Sequence, residues 1–294
     1  MRVTDRMTFD RAAREGGQAR ARLDRAVAQA SSGVRVVHPG DDPGAASRVA
    51  AERVKARRME AVATATGRAS DELAAVDAAL GEVANGLARA QELAAKFASA
   101  PYDAAQRATG AREVRGLLAS AVASLGVKVG NRYLLGGFRD GAPPFDASGA
   151  YLGDAGVREV ELAPGVRQPA GVRADVAIAG AGGGVDVLAT LAALASALDA
   201  DDPEAIRATL SPLARGTDQL SSARGAAGAA MAALDAATRA GQAARDDARA
   251  AIGKLADADP IAAASELALA QRALDAALTA TAKGFQLTLL DRLR

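Results

Sequence analysis

Apolar positions recur along most of this chain at alternating steps of three and four. From Leu73 they continue through Val76, Leu80, Val83, Leu87, Ala90, Ala94 and Phe97 at steps of 3, 4, 3, 4, 3, 4 and 3. That spacing lays all of them along one stripe of an α-helix, the seam of a helix packed lengthwise on another. Upstream, Asp42 followed by Pro43 supplies a capping carboxylate and then proline at the first helical position, where an N–H would go unpaired anyway. A continuous helix from there to Phe97 extends roughly 80 Å at 1.5 Å per residue. Gly67, Gly81 and Gly86 each weaken it by on the order of 1 kcal/mol relative to alanine, so packing has to sustain it.

Pro101, within Ser99–Asp103, ends that helix. Ala111, Val114, Leu118, Ala121 and Leu125 then resume the three-four step, and the two segments are expected to fold back as an antiparallel hairpin. Between 131 and 184 the helical period is lost. Clustered glycines, Pro143-Pro144 and short alternating runs at Val157–Leu162 and Val172–Ile178 predict a small β-rich insert. Helical character returns at Val185, and Asp202-Pro203 and Asp259-Pro260 repeat the start signal. A long seam follows through Leu220, Ala223, Ala227, Ala230, Leu234, Ala237, Gly241, Ala244, Ala248, Ala251 and Leu255, in which the three leucines carry most of the signal. In the last segment Leu267, Leu274, Leu278, Phe285 and Leu289 share one side of a helix.

These elements predict a mainly α fold with a small β insert: an elongated antiparallel helical rod or coiled coil formed by the N- and C-terminal segments, with the β-rich outer domain at its tip. The expected division is 1–40 as an N-terminal helix of an inner core, 41–130 and 185–259 as the two halves of the rod, 131–184 as the insert and 260–294 as the C-terminal helix of the core. The terminal helices have apolar faces but few partners within one copy. Isolated helices are marginal in water, so both ends are expected to be loose alone and ordered when copies pack. The contacts expected between copies are Leu23, Val27, Leu267, Leu274, Leu278 and Phe285.

Composition narrows the function classes. Aromatics make up only 3% of the chain, so any core is built from Ala, Leu and Val, which suits a thin bundle better than a compact globule. Lys plus Arg number 36 against 35 Asp plus Glu, which leaves no overall field to recruit nucleic acid or an anionic membrane. The first 60 residues carry 13 basic and 8 acidic side chains, mixed and without interleaved aromatics, and read as a solvated helix face. There is no cysteine and one histidine, His38, so neither disulfides nor a transition-metal site is expected. The N-terminus MRVTDRMTFDRAAREGG lacks the apolar core of a cleaved signal peptide, and no apolar run approaches the ~18 residues of a membrane span. Neither a nucleic-acid partner nor membrane insertion is expected.

The best enzyme-like element is VAIAGAGGG, Val176–Gly184, read as a strand, a glycine turn and a helix. A dinucleotide loop needs glycine at its first, third and sixth positions. Counting from Gly180, the third is Gly182 but the sixth is Val185, and a hinge returning the chain from the insert is the better reading. Asp41 and Asp42 are a carboxylate pair whose place before Pro43 is explained by capping. No catalytic residue, cofactor-binding residue or metal ligand is assigned, and no cofactor is expected.

Several short motifs converge on one family. Ser31, Ser32, Gly33, Arg35 and Val36, then Asp41, Asp42 and Pro43 with Ala45-Ala46, resemble the flagellin-like pattern S-S/T-G-x-R-V/I, spacer, D-D-P. Within that family the stretch NRYLLGGFRDGAPPF, containing Tyr133, Gly136, Gly137, Pro144 and Phe145, and YLGD, containing Tyr151, Gly153 and Asp154, are similar to elements of the hook-associated proteins at the bacterial hook–filament junction. The opening MRVTDRMTFD and the closing FQLTLLDRL are similar to those proteins' ends. The resemblance implies a structural subunit of the flagellum, exported unfolded by the flagellar type III apparatus without signal cleavage and located outside the cell. Its implied partners are further copies of itself in a ring, the first hook-associated protein, flagellin and an export chaperone. Flagellin itself is the nearest alternative. A cytosolic coiled-coil scaffold explains the heptads but not SSGVRV or DDP.

Overall fold

A computed structural model of the chain describes residues 2–99, 101–163 and 165–290. In order, the elements are helices α1 (Arg2–Ser32), α2 (Pro43–Phe97) and α3 (Ala104–Leu125), strands β1 (Lys128–Val129), β2 (Arg132–Tyr133), β3 (Glu159–Ala163) and β4 (Val166–Pro169), then helices α4 (Ala174–Ala177), α5 (Val187–Asp199), α6 (Pro203–Ala256) and α7 (Pro260–Leu290). The fold is mainly α with a small β insert, as the periodicity predicts. The chain divides into two compact units, Met1–Met59 with Ala243–Arg294, and Glu60–Gln242.

The unit Glu60–Gln242 has the larger side chains in its interior. Leu73, Leu80, Leu87, Leu125, Leu135, Leu188, Leu191, Leu194, Leu198, Ile206 and Leu213 are fully buried. Here α2 and α6 run antiparallel: Ser70 donates to Asp235 at 2.8 Å, Arg224 to Asp77 at 2.8 Å and Gln91 to Thr217 at 3.1 Å, so numbers rise along one helix as they fall along the other. Helix α3 folds back on α2, as expected. Arg89 pairs with Glu113 at 2.7 Å, and a Cβ on Gly110 would stand 2.5 Å from the Phe97 ring, which explains why only glycine fits there. The turn that reverses the chain is held by a capping box in which Asp103 accepts from the Gln106 N–H at 2.7 Å and the Gln106 side chain accepts from the Asp103 N–H at 3.1 Å.

Each Asp-Pro pair starts a helix. The carboxylates of Asp42, Asp202 and Asp259 accept from the N–H groups of Ala45 at 2.9 Å, Ala205 at 3.0 Å and Ile261 at 2.8 Å. Helix α6 also runs through an internal proline, Pro212, and begins well before the leucine seam that marks it in the sequence.

The insert contains less strand than its alternation predicts. Its described residues form two antiparallel two-stranded sheets, β1 with β2 and β3 with β4, and the first of them begins at Lys128, ahead of the expected boundary at 131. Val157–Leu162 largely becomes β3. Val172–Ile178, expected as a strand, instead carries the single turn α4. The buried residues there are Ala174 and, three and four positions after it, Ala177 and Ile178, and that helical relation wins over the alternation. No helix among the described residues is long and apolar enough to cross a membrane.

Candidate functional site

Within the first unit, the motif SSGVRV…DDP forms a clasp. Helix α1 ends at Ser32, whose hydroxyl donates to Ala28 O at 2.7 Å, and Gly33 turns the chain at φ +68°, the left-handed region that favours glycine. The turned strand pairs at Val34 with Asp257 in the corner between α6 and α7: Ala258 N donates to Gly33 O at 2.8 Å and Arg35 N to Ala256 O at 2.6 Å. The Arg35 guanidinium reaches Leu255 O at 2.8 Å with one nitrogen and the Asp42 carboxylate at 3.2 Å with another. Asp41 accepts from the N–H groups of Val37 at 3.1 Å and His38 at 2.8 Å. The Ala45 N–H, and after it Arg35, hold the Asp42 carboxyl below the ordinary carboxylate range. The two aspartates therefore shape backbone, and Val36 lies between them and the corner with its N–H directed at Ala256 O, 3.4 Å away.

From this clasp α1 and α7 leave side by side. Among the described side chains, Ala12, Gly16, Ala19, Leu23 and Ala26 of α1 and Ala263, Leu267, Ala270, Leu274, Ala277 and Thr281 of α7 are turned away from solvent along one stripe of each helix, at steps of three and four. Only Ala19, Ala26 and Ala263 of these are fully covered. Of the six residues expected to join copies, Leu23, Leu267 and Leu274 are therefore half-buried on the faces the two helices share within one chain. Val27 and Leu278 are 46% and 58% exposed, and the side chain of Phe285 lies outside the described residues. Ile261 and Leu269, which the sequence pattern did not single out, are 79% and 62% exposed on α7. The structure thus leaves an apolar surface on a helix pair whose own seam is closed mainly by alanine.

The second group of motif residues builds a knot in the insert. Gly137 sits at φ +70°, and a Cβ there would lie 2.6 Å from the Asp154 carbonyl oxygen. The Asp154 carboxylate accepts from the N–H groups of Phe138 at 2.9 Å and Gly156 at 2.8 Å, which hold its carboxyl below the usual range, and its own N–H donates to Gly136 O at 3.2 Å. The Tyr151 hydroxyl lies 2.9 Å from Asp154 O and 3.1 Å from Leu135 O and donates to these carbonyls. Burial, with the Asp175 and Asp154 charges behind it, pushes the Tyr151 hydroxyl up to about 12. Phe145 stacks at a tilt on Tyr151 with centroids 5.2 Å apart, Leu152 N donates to Pro144 O at 2.8 Å, and Gly153 packs where a side chain would strike Gly136 O. Tyr133 donates its N–H to Asp140 O at 2.8 Å.

Three further residues that tie elements together left little trace in the sequence. Arg107, 4% exposed, donates to Phe97 O and Ser99 O, each at 3.1 Å, and pairs with Asp201, while Arg207 reaches Ala98 O at 3.1 Å. Two guanidiniums thus satisfy the carbonyls that α2 leaves open at its C-terminus, where the helix dipole also favours cations. Gln219 accepts from Val185 N at 2.9 Å and donates to Val185 O at 3.0 Å and Ala177 O at 3.1 Å, pinning the VAIAGAGGG turn onto α6. That turn has Gly180, Gly182 and Gly183 at positive φ, and the helix after it is capped by Asp186, whose carboxylate accepts from Ala189 N at 2.8 Å. A protein carboxylate already occupies the place a phosphate would need. Among the described residues no group of three or more His, Cys, Asp or Glu side chains is arranged to hold a metal ion.

Residues 6–138 match the family model of the bacterial flagellin N-terminal helical region. None of the curated proteins matches the chain. Among solved structures, a protein of Vibrio parahaemolyticus described as a flagellar hook-associated protein aligns at 18% identity and TM-score 0.68 over 74% of this chain and 100% of its own. FlgL of Bacillus cereus aligns at 20% identity and TM-score 0.57 over 65% of this chain and 93% of its own. The flagellar junction protein FlgL of Legionella pneumophila aligns at 13% identity and TM-score 0.55 over 71% of this chain and 100% of its own. At such identities the likeness is one of fold: this chain shares the architecture of these solved proteins.

Proposed function

We propose that this chain is a structural subunit of the bacterial flagellum that joins hook to filament, and that copies assemble by packing α1 and α7 against those of their neighbours. The observation that carries the reading is the combination of a flagellin-type segment over residues 6–138 with a fold that matches solved junction proteins along nearly their whole length. The helix pair supports it physically. Val27, Ile261, Leu269 and Leu278 remain exposed on helices otherwise closed by alanine, and covering each contributes on the order of 1.5 kcal/mol. Repeated around a ring of heterologous contacts, such terms select assembly over the free chain.

On this reading Leu23, Val27, Leu267, Leu274, Leu278 and Phe285 form the inner contacts, with 1–40 and 260–294 as inner core and 131–184 facing outward. The partners are other copies, the first hook-associated protein below, flagellin above and an export chaperone before assembly. The protein acts outside the cell, by fit and without catalysis. Replacing Leu274 and Leu278 with Asp is expected to abolish incorporation and motility while the thermal unfolding of the Glu60–Gln242 unit stays unchanged. Immuno-labelling of sheared flagella should place the wild-type chain at the hook boundary. Label along the whole shaft would make it a filament subunit instead, and motile cells carrying the double Asp variant would remove α7 from the interface.

A further inference from the structure

We propose that the pair of buried Thr66 and half-buried Thr238 is a register key, a polar contact that helps fix which turn of α6 meets which turn of α2. The need for one follows from α6. Its inward positions run without a break through Ile206, Thr209, Leu213, Gly216, Leu220, Ala223, Ala227, Ala230, Leu234, Ala237 and Gly241. Beyond Leu220 that seam is alanine and glycine except for Leu234, so sliding the helix by seven residues exchanges one small side chain for another at most layers. A strict heptad of equivalent residues specifies that a partner packs, and leaves open where along it.

Helix α2 differs. Its covered positions keep the three-four alternation from Phe97 down to Ala69, but Ala69, Thr66 and Ala63 are separated by three and three. The missing residue shifts the seam around the helix, and such an interruption changes the local winding. Thr66 occupies its centre. It is fully buried, its hydroxyl lies 2.9 Å from Val62 O, and it meets the Thr238 hydroxyl of α6 at 2.7 Å, while the Thr238 hydroxyl lies 2.9 Å from Leu234 O. Each hydroxyl has a carbonyl of its own helix within reach, and the contact between the two, in which one donates across to the other, forms only when these two turns face each other. In a seven-residue slip Thr66 faces Met231 or Arg245 instead. Ser70 with Asp235, one turn on, adds a second polar contact on the exposed flank at 2.8 Å. Thr66 and Thr238 touch no ligand; they position two helices.

Because the chain has no cysteine, introduced pairs report register cleanly. In the full-length chain, Ser70→Cys is combined with Asp235→Cys to read the native register, and with Gly228→Cys or Gln242→Cys to read slips of seven in either direction. With both threonines present the native pair is expected to form a disulfide at least tenfold faster than either slipped pair. In Thr66→Val/Thr238→Val that preference should fall by tenfold or more while the melting temperature holds or rises, and Thr66→Ser/Thr238→Ser should restore it. An undiminished preference in the double valine chain overturns the proposal. So does a double valine chain that melts far lower without forming slipped disulfides, because the pair would then serve stability and not register.

Discussion

The two units use the same three-four period and fill it with different side chains. Between Glu60 and Gln242 the seam of α2 is Leu73, Val76, Leu80, Val83 and Leu87, answered on α6 by Leu213 and Leu220. Among the described residues of the other unit, the buried apolar ones are Ala19, Ala26, Ala45, Val49, Ala56, Ala248, Ala256 and Ala263, with a single valine among them. Burial stabilises roughly in proportion to the apolar area removed from water, about 25 cal/mol per Å², so an alanine layer contributes a fraction of a leucine layer. The comparison teaches that period locates a seam, whereas side-chain size determines whether the seam suffices by itself. The alanine-seamed unit is also where Val27, Ile261, Leu269 and Leu278 stand out from the helices.

The sharpest way to break this comparison is to truncate one leucine in each unit. Leu80 is fully buried in the larger core, and Leu80→Ala is expected to cost about 2–5 kcal/mol, read as a drop in the midpoint of chemical or thermal unfolding. Leu274 is half-buried on α7, and Leu274→Ala should cost the isolated chain under about 1 kcal/mol while weakening assembly. Equal losses in the free chain would mean that the alanine-rich unit is as self-sufficient as the leucine-rich one.

How much of this was legible follows from which forces act locally. The bounds of α2 were readable from the Asp42-Pro43 start and the proline after Phe97, because capping and proline sterics involve only neighbours in sequence. The SSGVRV and DDP residues were recognisable as a motif, yet their role as a clasp was not, since Arg35 finds Leu255 O across 220 positions. Arg107 looked like any helix-surface arginine; nothing in its sequence neighbourhood announces that the open carbonyls of Phe97 and Ser99 lie opposite. In the insert, Val172–Ile178 alternates well enough to read as a strand, and only the packing of Ala174, Ala177 and Ile178 decides for a helical turn.

A second, smaller contrast sets two glycines of nearly the same backbone against each other. Gly33 in the first unit and Gly137 in the second have φ of +68° and +70°. Nothing lies within 4 Å of a Cβ built on Gly33, whereas one on Gly137 presses into Asp154. Alanine at either position incurs the left-handed penalty, roughly 1–2 kcal/mol. Gly137→Ala must in addition displace Asp154 and with it the bonds to Phe138 and Gly156, so it should destabilise by more than Gly33→Ala, with the excess appearing as faster amide exchange confined to the insert. Equal effects would show that the knot gives way without resistance.

The smallest expected difference separates the two units' carboxylates by what holds them. Asp42 and Asp154 both have carboxyls below the ordinary range, so each binds protons more readily in the unfolded chain than in the folded one. Their contribution is therefore present above about pH 4, the unperturbed carboxylate value, and is lost as pH falls through the lower folded value. For Asp154 the leading causes are the N–H groups of Phe138 and Gly156, short-range bonds within one knot. For Asp42 the Ala45 N–H comes first, but the Arg35 guanidinium comes next, and both partners of that pair are partly exposed. Molar salt shortens the screening length to about 3 Å and weakens exposed ion pairs far more than backbone hydrogen bonds. In an NMR titration of the side-chain carboxyls at low and at molar salt, the Asp42 midpoint should rise with salt more than that of Asp154. An equal rise would place Arg35 outside the forces that hold the clasp, leaving its bond to Leu255 O as the reason this position needs an arginine.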